Sequence, residues 1–406
     1  MRREDVPPLL FQVTDDLPEP DLADVAWAGG LRVRRRRRRT VLISVVLVLV
    51  ALLVTSILIE MGQSDGGGKA DALPLDHQPT GYIAPAGQIA GIDYWLAPPA
   101  GSERFLDRLD TVLGDRLALP DKVNRLADHK LDKVVAVVLV KNGDGYQPLL
   151  LGGDASWSQA DVSLLPVGGA SPLSPGAISP DGRTVAFPQP GQLVTVNAST
   201  AKVDDYSLPG GDFRSVSWLQ DAQRVLVSAP GVAYRVVVGE GRNGEQPVVR
   251  INGAKDPEAI TAPYRIDSGA VTRYLDTGRW TEDSMLPLPV QSWVGQTFSS
   301  VGTVARLFVA GKLPQVPAMV SQPQGVAAIS TYRSVPSRLL MLDDPLTGSG
   351  DVRDPGCCAV LGWYDEQNLL LQVRGWVLAW DLDSGNVRRV TELAVGELAL
   401  GPGLSG

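Results

Sequence analysis

The chain has 406 residues, with 37 Lys+Arg against 45 Asp+Glu and a formal net charge of −8. Hydrophobic residues make up 44 % and charged residues 20 %, which excludes wholesale disorder, while Gly 43 and Pro 31 call for many turns. Two cysteines and two histidines exclude a disulfide-dense scaffold and most zinc sites built from protein ligands.

Residues 1–40 carry nine arginines and seven acids, a net +2. Within them Asp21 to Leu31, DLADVAWAGGL, has Leu22, Val25 and Trp27 at the spacing of one apolar helix edge. A segment this short buries no core of its own. It reads as a largely disordered cytoplasmic tail, or as a docking edge for a cytoplasmic partner. The arginines Arg32, Arg34, Arg35, Arg36, Arg37, Arg38 and Arg39 stand directly before Val41 to Ile59, VLISVVLVLVALLVTSILI. That run of 19 residues has no charge and would make about 28 Å of helix, matching a hydrocarbon core of about 30 Å. Arginine on the cytoplasmic flank sets the N-terminus inside and the C-terminus outside, and it also meets anionic lipid. A cleaved signal peptide is disfavoured, because its basic region would be about 40 residues long and its apolar run exceeds the usual 7–15. The sequence therefore predicts a single-pass anchor in type II orientation, with the bilayer as partner.

Residues 60–406 hold 28 basic and 38 acidic residues, a net −10, with no basic cluster, which argues against nucleic acid as a partner. Residues 60–81, with GGG at Gly66 to Gly68, read as a flexible linker. Residues 82–132 read as an extended segment plus short helices. Glu103 to Leu117 places Phe105, Leu106, Leu109, Val112 and Leu113 at helical spacing, and a second short helix is expected over Pro120 to Ala127.

From Lys133 the pattern turns to β. Val134 to Val140 and Tyr146 to Leu151 flank Asn142 to Gly145, NGDG, as a hairpin. Units of strand, polar turn and strand then recur at ISPDGRTVAF (Ile178 to Phe187), SWLQDAQRVLV (Ser217 to Val227) and GWYDEQNLLLQV (Gly362 to Val373). Four strands per unit at a spacing of about 40–50 residues is a propeller pattern. Residues 134–401 leave room for roughly six blades at about 40–45 residues each. A pair of β-sandwiches is the structural alternative. The expectation is an all-β chain: a β-propeller over 133–402 outside the membrane, one N-terminal transmembrane helix, and a short helical segment before the propeller.

Candidate chemistry is sparse. Cys357 and Cys358 are adjacent, and the exterior compartment permits disulfides, so a vicinal bridge, free thiols and an intermolecular bond all stay open. GEGRNG (Gly239 to Gly244) matches G-x-G-x-x-G but precedes a strand, not a helix, and so reads as a hairpin loop. No G-x-S-x-G elbow is present, and neither His77 nor His129 belongs to a recognisable triad. Asp144, Asp381 and Asp383 lack the spacing of a calcium loop and fit turn chemistry. Trp218, Trp363, Trp376 and Trp380 recur in the blade-like units, as blade packing or as the aromatic lining of a ligand face. No catalytic residue, cofactor or metal ligand is assigned.

SPDGRTVAF and VLAWDLDSG resemble blade motifs of WD40-type and TolB-like propellers. The whole chain resembles a group of actinobacterial single-pass membrane proteins with a short acidic tail, an arginine block, one anchor and a propeller. The likeness is carried by SPDGRTVAFPQP (Ser179 to Pro190) and GCCAVLGWYDEQNLL (Gly356 to Leu370). Genes for such proteins often lie beside those of extracytoplasmic-function sigma factors, which implies a signalling role. The tail here lacks the His-and-Cys zinc motif of one large anti-sigma class and is shorter than the usual anti-sigma domain. Three readings follow: a non-catalytic binding or sensing propeller with an extracytoplasmic ligand or protein partner; a sigma-factor regulator acting through Leu22, Val25 and Trp27; and an extracytoplasmic propeller hydrolase or lyase.

Overall fold

The computed structural model describes residues 81–404 apart from 240–245, 252–255, 262–263, 268–269, 275–279, 286–287, 311–323, 333–334 and 343–357. The expected tail with Leu22, Val25 and Trp27, the arginine block, the anchor over Val41–Ile59, most of the linker, Cys357 and the segment Lys312 to Val320 lie outside the described residues. Among the described residues no helix is long and apolar enough to cross a membrane.

The described chain is all-β and forms a propeller-like ring of antiparallel sheets. Five sheets have four to six strands, and one has two. In order around the chain, the first sheet contains Val134–Asn142, Gly145–Gly152 and Trp157–Gln159. The second is the two-stranded one, Thr184–Asn197 with Val203–Asp212, extended inward by the bridge of Ile178 to Val185. The third runs from Ser215–Trp218 to Val248–Ile251, and the fourth from Ile260–Thr261 to Trp280–Met285. The fifth runs from Val290–Ser300 to Arg338–Leu342, and the sixth from Ala359–Trp363 to Val387–Leu393.

Central strands read as near-continuous apolar runs because each sheet is covered on both faces by its neighbours. Val134 to Val138 and Gln324 to Ser330 are buried at every position. The apolar clusters lie between adjacent sheets. Phe187, Val216 and Val225 pack with Val134 and Leu150 across the first three sheets. Ile266 and Val271 pack against Phe308 and Ala327 between the fourth and fifth. Leu307 and Leu340 meet Leu369 and Trp380 between the fifth and sixth. Leu370 and Val377 meet Val135 and Leu151 between the sixth and first.

The ring is closed by the last described strand. Leu398–Leu400 supplies the innermost strand of the first sheet, pairing antiparallel with Ala136 to Val138.

The helices expected over 103–117 and 120–127 are corrected. Only Glu103–Phe105 forms a 3-10 turn, and residues 81–126 run as an extended belt around three sheets. Asp93 to Leu96 pairs parallel with Arg338 to Met341 on the edge of the fifth sheet. Arg116–Leu117 pairs parallel with the edge of the sixth, and Asn124–Arg125 with that of the first. Backbone partners explain the outcome. Leu109 N–H donates to Arg389 O at 2.8 Å, Arg389 N–H to Asp107 O at 2.9 Å and Val112 N–H to Leu404 O at 3.2 Å. Each bond uses a group that a helix would have turned inward. Leu113 and Leu117 are buried in the sixth-to-first cluster, while Phe105, placed on the same helical face by its spacing, is 73 % exposed. Tertiary partners override helical periodicity here.

The belt is pinned at two places. Trp95 is buried, donates from Nε1 to Ile83 O at 2.8 Å and meets Trp380 with ring centroids 6.4 Å apart. It lies over Gly385 (φ +73°), where a Cβ would fall 2.0 Å from the indole nitrogen, so the turn at that position requires glycine. Glu103 is also buried and accepts from Arg374 Nη1 at 2.6 Å, and the same nitrogen donates to Pro98 O at 3.2 Å.

Candidate functional site

The innermost strands converge on one cavity of about 550 Å³. Each sheet lends a residue at or just beyond the end of its innermost strand or bridge. Pro180 comes from the second sheet, Gln220 from the third, Tyr264 from the fourth, Val301 from the fifth, Glu366 from the sixth and Pro402 from the first.

The turns are built by a repeated local device. Asp181 Oδ1 accepts from Ser179 Oγ at 2.6 Å and from Arg183 N–H at 3.1 Å. Asp221 Oδ1 accepts from Gln223 N–H and Arg224 N–H, both at 3.0 Å. Asp365 Oδ1 accepts from Gln367 N–H at 2.8 Å and Asn368 N–H at 2.7 Å. An aspartate that satisfies the amides two and three positions on replaces backbone partners and fixes the turn. These carboxylates therefore serve the fold. Asp381 does the same, accepting from Asp383 N–H and Ser384 N–H at 2.9 Å, consistent with the turn role expected of DLDSG.

The walls are aromatic and hydroxylic. Trp218, Tyr264, Phe298 and Trp363 supply rings, and Ser217, Thr261, Ser299 and Ser300 supply hydroxyls. Trp218 Nε1 donates to Ala177 O at 2.8 Å, which fixes its ring. Thr261 Oγ1 and Ser299 Oγ lie 3.3 Å apart. The described lining contains no Lys, Arg, His or Cys. Its charged members are Asp365 and Glu366, and Glu366 is exposed, with no hydrogen-bond or ion-pair partner among the described residues. The four recurring tryptophans thus divide: Trp218 and Trp363 line the cavity, while Trp380 and Trp376 pack into the fifth-to-sixth core.

Gln296 ties inner strands together across the axis. Its register departs from the regular ladder between Val294 and Phe298, with Gly295 at φ +67°, and a bulge of this kind re-aims a side chain. Gln296 Oε1 accepts from Gly176 N–H at 2.8 Å, and its Nε2 donates to Ser215 Oγ and Val216 O. One amide thereby joins the fifth sheet to the third and to the strand entering the second. A Cβ on Gly176 would lie 2.9 Å from Gln296 Oε1, so the close approach needs glycine. The bulge is held from behind by Arg306, 1 % exposed, whose Nε donates to Gly295 O at 2.8 Å. Its Nη1 reaches Ile266 O at 3.1 Å, and its Nη2 reaches Asp256 Oδ2 at 2.7 Å. Neither Gln296 nor Arg306 is marked by a local motif; a glutamine and an arginine inside apolar strand runs are the available signals.

The remaining candidates lie away from the cavity. Cys358 is buried, disulfide-bonded and at φ +71°, at the start of the sixth sheet's inner strand; Cys357 is the only other cysteine in the sequence. His129 Nδ1 sits 3.2 Å from Ser158 Oγ at the outer edge of the first sheet, but Ser158 is fully buried and donates to the His129 carbonyl at 2.8 Å. That pair ties the chain just beyond the belt to an edge strand. Gly239 opens the connection between antiparallel strands Val232–Val237 and Val248–Ile251, the hairpin position expected for GEGRNG.

No known protein family matches the sequence, and no curated protein is similar to it. Among solved structures, TolB from Acinetobacter baumannii is 14 % identical over 66 % of this chain and 67 % of its own, with a TM-score of 0.42. Hydrazine synthase from Kuenenia stuttgartiensis is 13 % identical over 66 % of this chain and 80 % of its own, with a TM-score of 0.34. A dihydro-heme d1 dehydrogenase is 15 % identical over 75 % of this chain and 82 % of its own, with a TM-score of 0.32. The propeller architecture of this chain rests on its own sheet order and on the cavity to which its sheets converge.

Proposed function

We propose that the chain is a membrane-anchored binding module whose propeller, displayed outside the cell, takes a ligand in the axial cavity without transforming it. The observation that carries this reading is the convergence of the inner turns of all the sheets on one cavity of about 550 Å³, within the size range of small-molecule sites. The lining supports a non-catalytic role. Thr261 and Ser299 bond to each other, Ser179 bonds to a turn aspartate, and Asp365 is committed to backbone amides. The ring is read as six-bladed, with the two-stranded sheet and the Ile178–Val185 bridge in the second position. The anchor is the apolar run Val41 to Ile59 behind its arginines. Ile83 N–H bonds to Ser384 O at 2.8 Å, and Leu382 N–H beside it bonds to Gln367 O at 3.0 Å. The belt therefore begins at the end of the ring that carries the cavity.

The test is thermal unfolding of the full chain in detergent against soluble envelope fragments, sugars, peptides and divalent cations, with Ser300→Trp as the filled-cavity variant. A true ligand at about 100 times its Kd stabilises by about 2.7 kcal/mol, a rise of roughly 4 °C for a folded part of this size. A saturable rise that disappears in Ser300→Trp supports the reading. A rise that survives the filled cavity, or none across the set, overturns it.

A further inference from the structure

We infer that the axial cavity selects a small organic cation, one that sets an ammonium group against Glu366 and its substituents against the aromatic walls; this rests on the cavity being the binding site. The first support is charge. The described lining has carboxylates and no basic side chain, and residues 60–406 carry a net −10, so the surrounding field favours positive ligands. The second is availability. Asp365 is committed to the amides of Gln367 and Asn368, whereas Glu366, one position on and exposed, has no partner among the described residues. Of the arginines on the neighbouring inner turns, Arg224 is ion-paired with Asp221 at 2.9 Å, and Arg183 is exposed beyond the lining.

The third support is the walls. Trp218, Tyr264, Phe298 and Trp363 bring aromatic rings to the lining, and a cation is attracted to aromatic rings more strongly as it leaves water. An anion entering the same space would lose its hydration with no basic side chain in the described lining to replace it. A neutral ligand would gain the apolar contact and the hydroxyls of Ser217 and Ser300, but nothing from Glu366.

The test uses three probes that share one ring and differ in charge: benzyltrimethylammonium, benzyl alcohol and benzoate. Binding to the full chain in detergent is followed by ligand-observed saturation-transfer NMR and referenced to empty micelles. The cation is expected to bind about tenfold tighter than the alcohol, and benzoate not to register. Glu366→Gln should weaken the cation by about five- to tenfold and leave the alcohol unchanged. The unfolding midpoint of that variant should match the parent, because Glu366 is exposed. Equal affinity for cation and alcohol, with both lost in Ser300→Trp, would overturn the cation assignment and leave the cavity as the binding site. Cation binding that ignores Glu366→Gln would overturn it as well. No binding by any probe would overturn both.

Discussion

The two halves of the ring guard their outer edges in different ways. On the fifth, sixth and first sheets the belt adds a parallel strand to each edge. On the second, third and fourth, the outermost strand has a single partner among the described residues. The contrast is sharpest between the fifth sheet and the uncovered edge of the second, whereas the covered edge of the sixth, VRRVTEL, keeps Arg388, Arg389 and Glu392. The covered edge Arg338–Leu342 reads RLLML, with Leu339, Leu340 and Met341 buried. Of the uncovered edges, that of the second sheet carries Asp204, Asp205 and Pro209, and that of the third carries Arg250. An open edge needs charge or proline to refuse another chain, and a covered one is free to be apolar. The belt therefore does by pairing what acidic residues and proline do elsewhere, and its loss would expose a ready template for aggregation.

Unseating the belt is the strongest way to break this contrast. Trp95→Ala removes its largest buried side chain and should cost about 4 kcal/mol, read as a lower denaturant midpoint. It should also raise light scattering on heating, as the RLLML edge is uncovered. An unchanged midpoint would mean that the belt lies outside the cooperative unit. The next largest effect is expected at the junction of the two halves, where Arg306 ties the fifth sheet to the fourth. Arg306→Met keeps the bulk but strands the Gly295 and Ile266 carbonyls, and should cost about 3 kcal/mol in the same assay. Because the Gln296 bulge loses its support, probe binding in the cavity should fall with it.

The smallest effect sharpens the picture at the edge of the first sheet. Asp154 accepts from Ser156 Oγ at 2.7 Å and from Ser156 N–H at 3.1 Å, and the Ser156 hydroxyl is the main reason its carboxyl sits below its ordinary value. A depressed folded value gives stability that is present above the unfolded value, near 3.9, and is lost as pH falls through the folded one. The carboxylate is largely exposed, so Asp154→Ala should lower the midpoint at pH 7 by only about 1 °C, and the difference should vanish in acid. A gap that persists at low pH would assign the effect to chain stiffness and not to the charge.

Much of the sheet structure was legible because it is local. The turn in NGDG sits at Gly143–Asp144 between paired strands, and SPDGR, LQDAQR and YDEQN each close on an aspartate. The belt was not legible, since Leu109, Val112 and Leu113 fit a helix as well as they fit a groove. The decision is made by Arg389 and Leu404, almost three hundred residues downstream. The cavity was half legible. Four recurring tryptophans were visible, but only closure of the ring separates Trp218 and Trp363, on its lining, from Trp376 and Trp380, in its core. Gln296 reaches partners 120 and 81 positions away, a distance that no window of sequence spans.

The strand Leu398–Leu400 also sets a clock. Its partners sit at positions 136 to 138, some 260 residues earlier, so the first sheet stays without its innermost strand until Leu398–Leu400 has been made. Joining ends that far apart carries a loop-closure cost of about 5 kcal/mol, met only when the final contacts form. Until that strand arrives the chain is an open arc with unfinished apolar faces, the kind of intermediate that is prone to aggregate. Truncation before Leu398 would therefore remove more than one strand, leaving an arc that never becomes a ring.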